Sequence, residues 1–380
     1  MTSKRLAGIP GFSIDRVAAA AAGDPDVLRL ENLDTDLPPP QEAIEATRQA
    51  LTDDDSNSYL PFTGSEILRN AVASRLHSQT GISYSLDQVV ITAGATEGMF
   101  DALLAITDIG DEVILTDPTY AGMIYRVRLA SAVPRLVPFY LENNSWRLDL
   151  DALRNAINDK TRALFLMSPS MPSGAVLNHE EWEYIGKLCN EHSLWLIYNA
   201  AMEKILYDSI LIHPLTMPGM YERTLVLGSV SKEFRMIGWR IGWILGPTTI
   251  MPDIARVHIY NVVAPPGITQ TGAAAAFRAP ETEFLSCLGV WQKRRDVMLD
   301  QMKGYPIIPA AGGWSMLLDC AALGYDSFAA SERLLQKGKI AATPMKDWGE
   351  VNGDRFVRFV FSNEHVRRLD SLRDRLKKCF

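Results

Sequence analysis

Gly228-Ser229-Val230-Ser231-Lys232-Glu233-Phe234-Arg235-Met236-Ile237-Gly238-Trp239-Arg240-Ile241-Gly242-Trp243 decides how this chain is read. The apolar run Thr224-Leu225-Val226-Leu227 just before it predicts a buried strand. Lys232 therefore follows a sheet, with hydroxyls at Ser229 and Ser231 and a second cation, Arg240, eight residues on. A lysine desolvated against a sheet beside another cation loses part of its reason to stay protonated. The neutral amine is the form that condenses with a carbonyl. Two hydroxyls and a planar guanidinium suit a phosphate. An aldehyde that carries its own phosphate, pyridoxal 5'-phosphate (PLP), answers both halves of the pattern.

Composition sets the frame. The chain has 380 residues, enough for about two domains. Hydrophobic residues make up 47% and charged residues 22%, the balance of a globular enzyme. A net charge of −7 argues against nucleic acid or an anionic membrane as the main partner. Cys189, Cys287, Cys320 and Cys379 are scattered, with no Cys-x-x-Cys pair, and the six histidines show no metal spacing; no metal site is expected. The apolar run Ala18–Ala22 is short and follows Asp15 and Arg16, so it reads as a helix face, not a signal peptide. No run approaches a membrane span. A cytoplasmic protein is expected. No nucleophile-elbow motif supports a hydrolase, and Gly94-Ala95-Thr96-Glu97-Gly98 does not fit the nicotinamide fingerprint.

Apolar runs at 89–92, 112–116, 134–138, 163–167, 194–198 and 224–227 alternate with amphipathic stretches. That alternation predicts a mainly parallel sheet covered by helices on both faces, with ligands at the carboxyl ends of the strands. The small residues of Ala93-Gly94-Ala95-Thr96 open a helix whose first amides can meet an anion, with Ala95 and Thr96 as donors. Past about residue 280 the pattern changes. A long helix carries Trp291–Asp296, and strands are expected at 311–318 and 356–361. The expected division is a large domain over 41–280 and a small α+β domain built from 1–40 and 281–380.

Ser-x-Ser-Lys alone recurs too often to decide a family. Followed by Met-x-Gly-Trp-Arg-x-Gly, it resembles the PLP-dependent aminotransferases of the aspartate aminotransferase superfamily, fold type I. The resemblance extends over nearly the whole chain. It implies a seven-stranded-type sheet and a Schiff base between PLP and Lys232. Ser229 and Arg240 would bind the phosphate with Ser231 beside them. Tyr120, two residues after Pro118, would stack on the cofactor ring. Tyr59, in Tyr59-Leu60-Pro61-Phe62-Thr63-Gly64, would reach the phosphate of a neighbouring subunit, which implies a homodimer. Arg358 would hold the α-carboxylate of the substrate. The substrates would be an amino acid and a 2-oxo acid.

Four positions depart from the family pattern. Leu33 stands where a glycine lies over the substrate carboxylate, and would narrow the pocket. Met171 replaces an asparagine, and Met202 a tyrosine, that bond the phenolic oxygen of the cofactor. Asn199 replaces the aspartate that pairs with the pyridine nitrogen. An amide cannot take up the charge of a pyridinium proton; it can only donate to an unprotonated nitrogen. The ring should then be a weaker electron sink. Amino-group transfer is the expected reaction. A PLP enzyme of another class (lyase, racemase or decarboxylating), or a PLP-binding protein without turnover, is the alternative that Asn199 keeps open.

Overall fold

The structure is a computed structural model that describes residues 6, 8–11 and 13–380. The six predicted apolar runs join two strands the sequence reading did not mark, Gly242–Leu245 and Ser145–Leu148, in a sheet of eight strands where seven were expected. Its order is Val89–Thr92, Gly242–Leu245, Thr224–Ser229, Trp195–Asn199, Thr161–Met167, Glu112–Asp117, Val133–Glu142, Ser145–Leu148. The five strands from Thr224–Ser229 to Val133–Glu142 pair parallel, and Gly242–Leu245 runs antiparallel to both its neighbours. The eighth strand is a hairpin extension at the edge. Asn143 and Asn144 make its turn at φ 49° and 61°, a conformation that asparagine tolerates.

Central strands such as Glu112–Asp117 and Thr224–Ser229 are buried at every residue. Their alternate side chains enter different cores, as a pleated strand requires. Leu164, Leu196 and Val226 pack on one face, whereas Phe165, Ile197 and Leu227 pack on the other. This explains why the strands read as continuous apolar runs and not as alternating ones.

Ile307–Ile308, Ser315–Asp319, Phe356–Val360 and Thr343–Pro344 form an antiparallel four-stranded sheet in that order. Leu28–Arg29 of the N-terminal arm pairs parallel with Ile340–Ala341. Leu28 and Leu30 join Met298, Leu318, Leu334 and Phe359 in a third core. The arm is pinned further along. Arg294, on helix Glu281–Gln301, grips Asp36 with two parallel bonds of 2.7 and 2.9 Å. The Trp291 indole donates to Thr35 Oγ1 at 3.1 Å. These contacts fix Leu33 over the end of the large sheet. On the opposite side Asp117 accepts the amides of Glu350, Val351 and Asn352 at 2.8, 2.7 and 3.1 Å, which ties the last strand-and-helix unit to the parallel sheet.

Candidate active site

The site forms where strand Thr224–Ser229 ends. Ser229 Oγ donates to the Ile241 carbonyl at 3.1 Å, lies 2.8 Å from Ser231 Oγ, and accepts the Ser231 amide at 3.0 Å. Arg240, in the left-handed region at φ 55°, brings Nη1 within 2.8 Å of the Ile237 carbonyl and 3.5 Å of Ser231 Oγ. Two glycines let these groups meet helix Ala95–Ile106. A Cβ on Gly94 would stand 2.7 Å from Arg240 Nη2, and one on Gly242 would collide with the Ala95 amide nitrogen. The Ala95 and Thr96 amides open the helix and have no acceptor within it. Hydroxyls, a guanidinium and free helix amides thus converge in one cup, a ready anion site.

Lys232 stands beside the cup. Its Nζ donates to the Leu33 carbonyl at 2.8 Å and lies 4.8 Å from the centre of the Trp314 ring. Burial pushes the amine down to about 8; Asp34 opposes that shift, and Arg358 and Arg240 add to it. Neutral amine, the nucleophilic form, is therefore present near neutral pH.

Arg358 is fully buried. Strand pairing sets it opposite Leu317 and Thr343. Nη2 donates to the Glu31 carbonyl and to Thr343 Oγ1 at 3.2 Å, Nη1 lies 3.5 Å from Met171 Sδ, and Trp348 stacks under the guanidinium at 4.8 Å. Among the described residues no carboxylate pairs with it, and its Nε has no hydrogen bond. Burial lowers its pKa to about 10, which leaves it charged at neutral pH. A dry guanidinium with no carboxylate against it among the described residues is a site for an incoming one.

One cavity of about 230 Å³ collects Leu33, Ala95, Thr96, Tyr120, Met171, Asn199, Met202, Ser229, Ser231, Lys232, Arg240 and Arg358. Tyr120 precedes helix Ala121–Leu129, its ring tilted against Trp348 at 5.9 Å. Gly122 makes room for it, since a Cβ there would lie 2.5 Å from Tyr120 Cζ. Asn199 ends its strand, and its Oδ1 accepts the Ala201 amide at 3.1 Å, which leaves Nδ2 as the unbonded end. Tyr59 is absent from this cavity and is 86% exposed. The cup fits the phosphate of PLP, and Lys232 fits its aldehyde. The clash that a side chain at Gly94 would create shows how closely the cup is drawn.

Residues 25–376 match the family model for aminotransferase class I and II. The chain belongs to the class I and II aminotransferases. Arginine–pyruvate transaminase of Pseudomonas aeruginosa is 28% identical over 91% of this chain and 89% of its own length. An aspartate aminotransferase of Pyrococcus abyssi is 29% identical over 99% and 97%. Among solved structures, N-succinyldiaminopimelate aminotransferase from Mycobacterium tuberculosis superposes with a TM-score of 0.93 at 28% identity, over 99% of each chain. Of the readings open from the sequence, these comparisons support transamination. This aminotransferase is PLP-dependent and has the fold type I architecture. No described helix is long and apolar enough to cross a membrane.

Sequence reasoning missed several groups around the aminotransferase site. Ile14, Asn32 and Ile237 also line the cavity. Trp314 and Trp348, which bed Lys232 and Arg358, lie more than 80 residues from Lys232 in sequence. No local pattern marks them, because the small sheet places them. The histidines gave no spacing signal either, yet His258 meets Glu97 and Asp101 in the fold.

Proposed function

We propose that this aminotransferase works through Lys232 as nucleophile and proton carrier, with Arg358 as the anchor of the substrate carboxylate. The observation that carries the proposal is the pairing, within one cavity, of an amine held down to about 8 with a buried guanidinium that meets no carboxylate among the described residues. When bound, PLP supplies an aldehyde and a ring that draws electrons from the substrate α-carbon. Ser229, Ser231, Arg240 and the Ala95 and Thr96 amides would hold its phosphate. Tyr120 would bear on its ring, and Asn199 would offer an amide donor to its nitrogen. The Lys232 amine would meet its aldehyde and, as a free base, would carry the proton of the substrate α-carbon. Met171 and Met202 would offer its phenolic oxygen only thioethers, which are weak acceptors and not donors.

Ile14, Leu33 and Ile237 add apolar lining to the cavity, which favours an amino acid with an uncharged, apolar side chain. The same proposal includes a homodimer in the cytoplasm, where the exposed Tyr59 reaches the partner's phosphate, and a two-lobed division at about residues 40 and 280. The test has two parts. Borohydride should fix PLP on Lys232, seen as a mass adduct on its peptide, and an amino-acid panel should convert the bound cofactor to its amine form. An adduct on another residue, or conversion that persists undiminished in Lys232→Ala, would sink the proposal. A monomer by sedimentation would remove the role given to Tyr59.

A further inference from the structure

Beneath the phosphate cup lies a buried group that the reaction itself does not use. His258, on helix Met251–Asn261, is fully buried, as is Asp101, and Glu97 is 8% exposed. The His258 Nε2 lies 2.8 Å from the Phe62 carbonyl, and Nδ1 lies 2.6 Å from Glu97 Oε1 and 3.7 Å from Asp101 Oδ2. A carbonyl only accepts, so Nε2 carries a proton; Nδ1 faces two carboxylates. Burial works against the charged ring, but the hydrogen bonds to Asp101 and Glu97 outweigh it and hold His258 up at about 9. The three groups have the chemistry of metal ligands and lie within 4.8 Å of one another. With both ring nitrogens committed to protons, however, an ion would first have to displace one.

The other oxygen of Glu97 is the informative one. Oε2 accepts the Ala93 amide at 2.5 Å. Ala93 precedes Gly94 and the two free amides of the cup. A carboxylate in the first turn of that helix would by itself compete with a phosphate for the same positive helix end. Paired with the imidazolium and turned back onto Ala93, it braces the turn and leaves Ala95 and Thr96 to the ligand. The other end of the chain of contacts, Phe62, sits in the loop that begins at Tyr59. The Ile91 amide donates to Thr63 of that loop at 2.9 Å, and a Cβ on Gly64 would collide with Ile91.

We propose that Glu97 and His258 are positioning residues that brace two segments, the Ala93–Thr96 turn and the Phe62 loop, in the geometry that binds the cofactor phosphate. The proposal rests on the PLP site described above. It is specific to the phosphate, so its readout is the comparison of PLP with pyridoxal, which has the same ring and aldehyde but no phosphate. The full-length apoprotein is titrated with each. In His258→Gln, which can brace only one segment, PLP affinity should fall by roughly tenfold or more, the scale of one lost charge-assisted bond. Pyridoxal affinity should stay within about twofold. Glu97→Gln keeps an acceptor for Ala93 but loses the ion pair, and should show the same selective loss at smaller size. Equal losses for both ligands, or none for either, in these variants would overturn the proposal. If His258→Gln does not fold, Glu97→Gln decides by the same comparison. A wild-type protein that does not prefer PLP to pyridoxal would instead overturn the phosphate cup itself.

Discussion

Asn199→Asp is the substitution with the largest expected chemical effect. The two side chains have nearly the same shape, and Asp would keep the 3.1 Å acceptor contact with the Ala201 amide. What changes is the other end, from an amino group that can only donate to an oxygen that can hold a pyridinium proton. Opposite charges about 4 Å apart at an effective dielectric of about 20 attract by about 4 kcal/mol, and one pKa unit is about 1.36 kcal/mol. The ring nitrogen should therefore become more basic by up to about three units, less whatever desolvation of the new carboxylate removes. Position 199 is only 2% exposed, so that subtraction is real. Without PLP the new carboxylate has one backbone donor and little water, and burial raises its pKa. The folded apoprotein then binds a proton that the unfolded chain gives up near pH 4. Its stability should fall as pH rises from there through the raised pKa, and PLP should restore it. The assays are an absorbance titration of the bound cofactor against pH and the single-turnover rate of its conversion by an amino acid. The titration midpoint should move upward and the conversion should speed up. An unchanged titration and an unchanged rate, with PLP still bound, would refute the placement of Asn199 against the ring nitrogen.

Arg358→Ala should weaken the amino acid by about 10- to 150-fold, corresponding to about 1.5–3 kcal/mol for a charge-assisted contact, while PLP affinity moves only a few-fold. Equal losses of both would assign Arg358 to the fold, where it already bonds Glu31 and Thr343. Lys232, held down to about 8 by burial, should be about one-tenth neutral at pH 7 in the apoprotein. The rate of PLP incorporation should accordingly rise about tenfold between pH 7 and 9 and then level off. A profile that keeps climbing past pH 10 would mark an ordinary, solvated lysine.

The lysine motif was legible because its parts are close in sequence and each has a chemical reason to be there. The strand ahead of it, the two serines and Arg240 span seventeen residues, Thr224 to Arg240, and the fold keeps them together. The parallel sheet was legible for a related reason: strands buried on both faces must be apolar at every position. Leu33 was expected to narrow the pocket by its side chain; its carbonyl, which no sequence pattern marks, is the acceptor for Lys232. The bed of Trp314 and Trp348 was not legible. Those residues look like ordinary core aromatics until the small sheet folds over the large one. The alliance of Glu97, Asp101 and His258 was hidden by the 156 residues between Asp101 and the histidine, and by the helix register that puts two acids four apart on one face.

The unpaired state of Arg358 also bears on how the empty enzyme behaves. A guanidinium closed off from water, with Glu31 and Tyr120 acting on it only at a distance and no carboxylate against it among the described residues, is open to small anions. Small carboxylates such as formate or acetate should occupy it and compete with substrate, so apparent affinity depends on the buffer. With Arg358 as the proposed anchor, attraction at this point does not tell one amino acid from another. On that reading the apolar lining of Ile14, Leu33 and Ile237, where one methylene more or less is worth about 1–3 kcal/mol, should rank substrates by size and shape, and a change there should reorder that ranking without loosening the anchor.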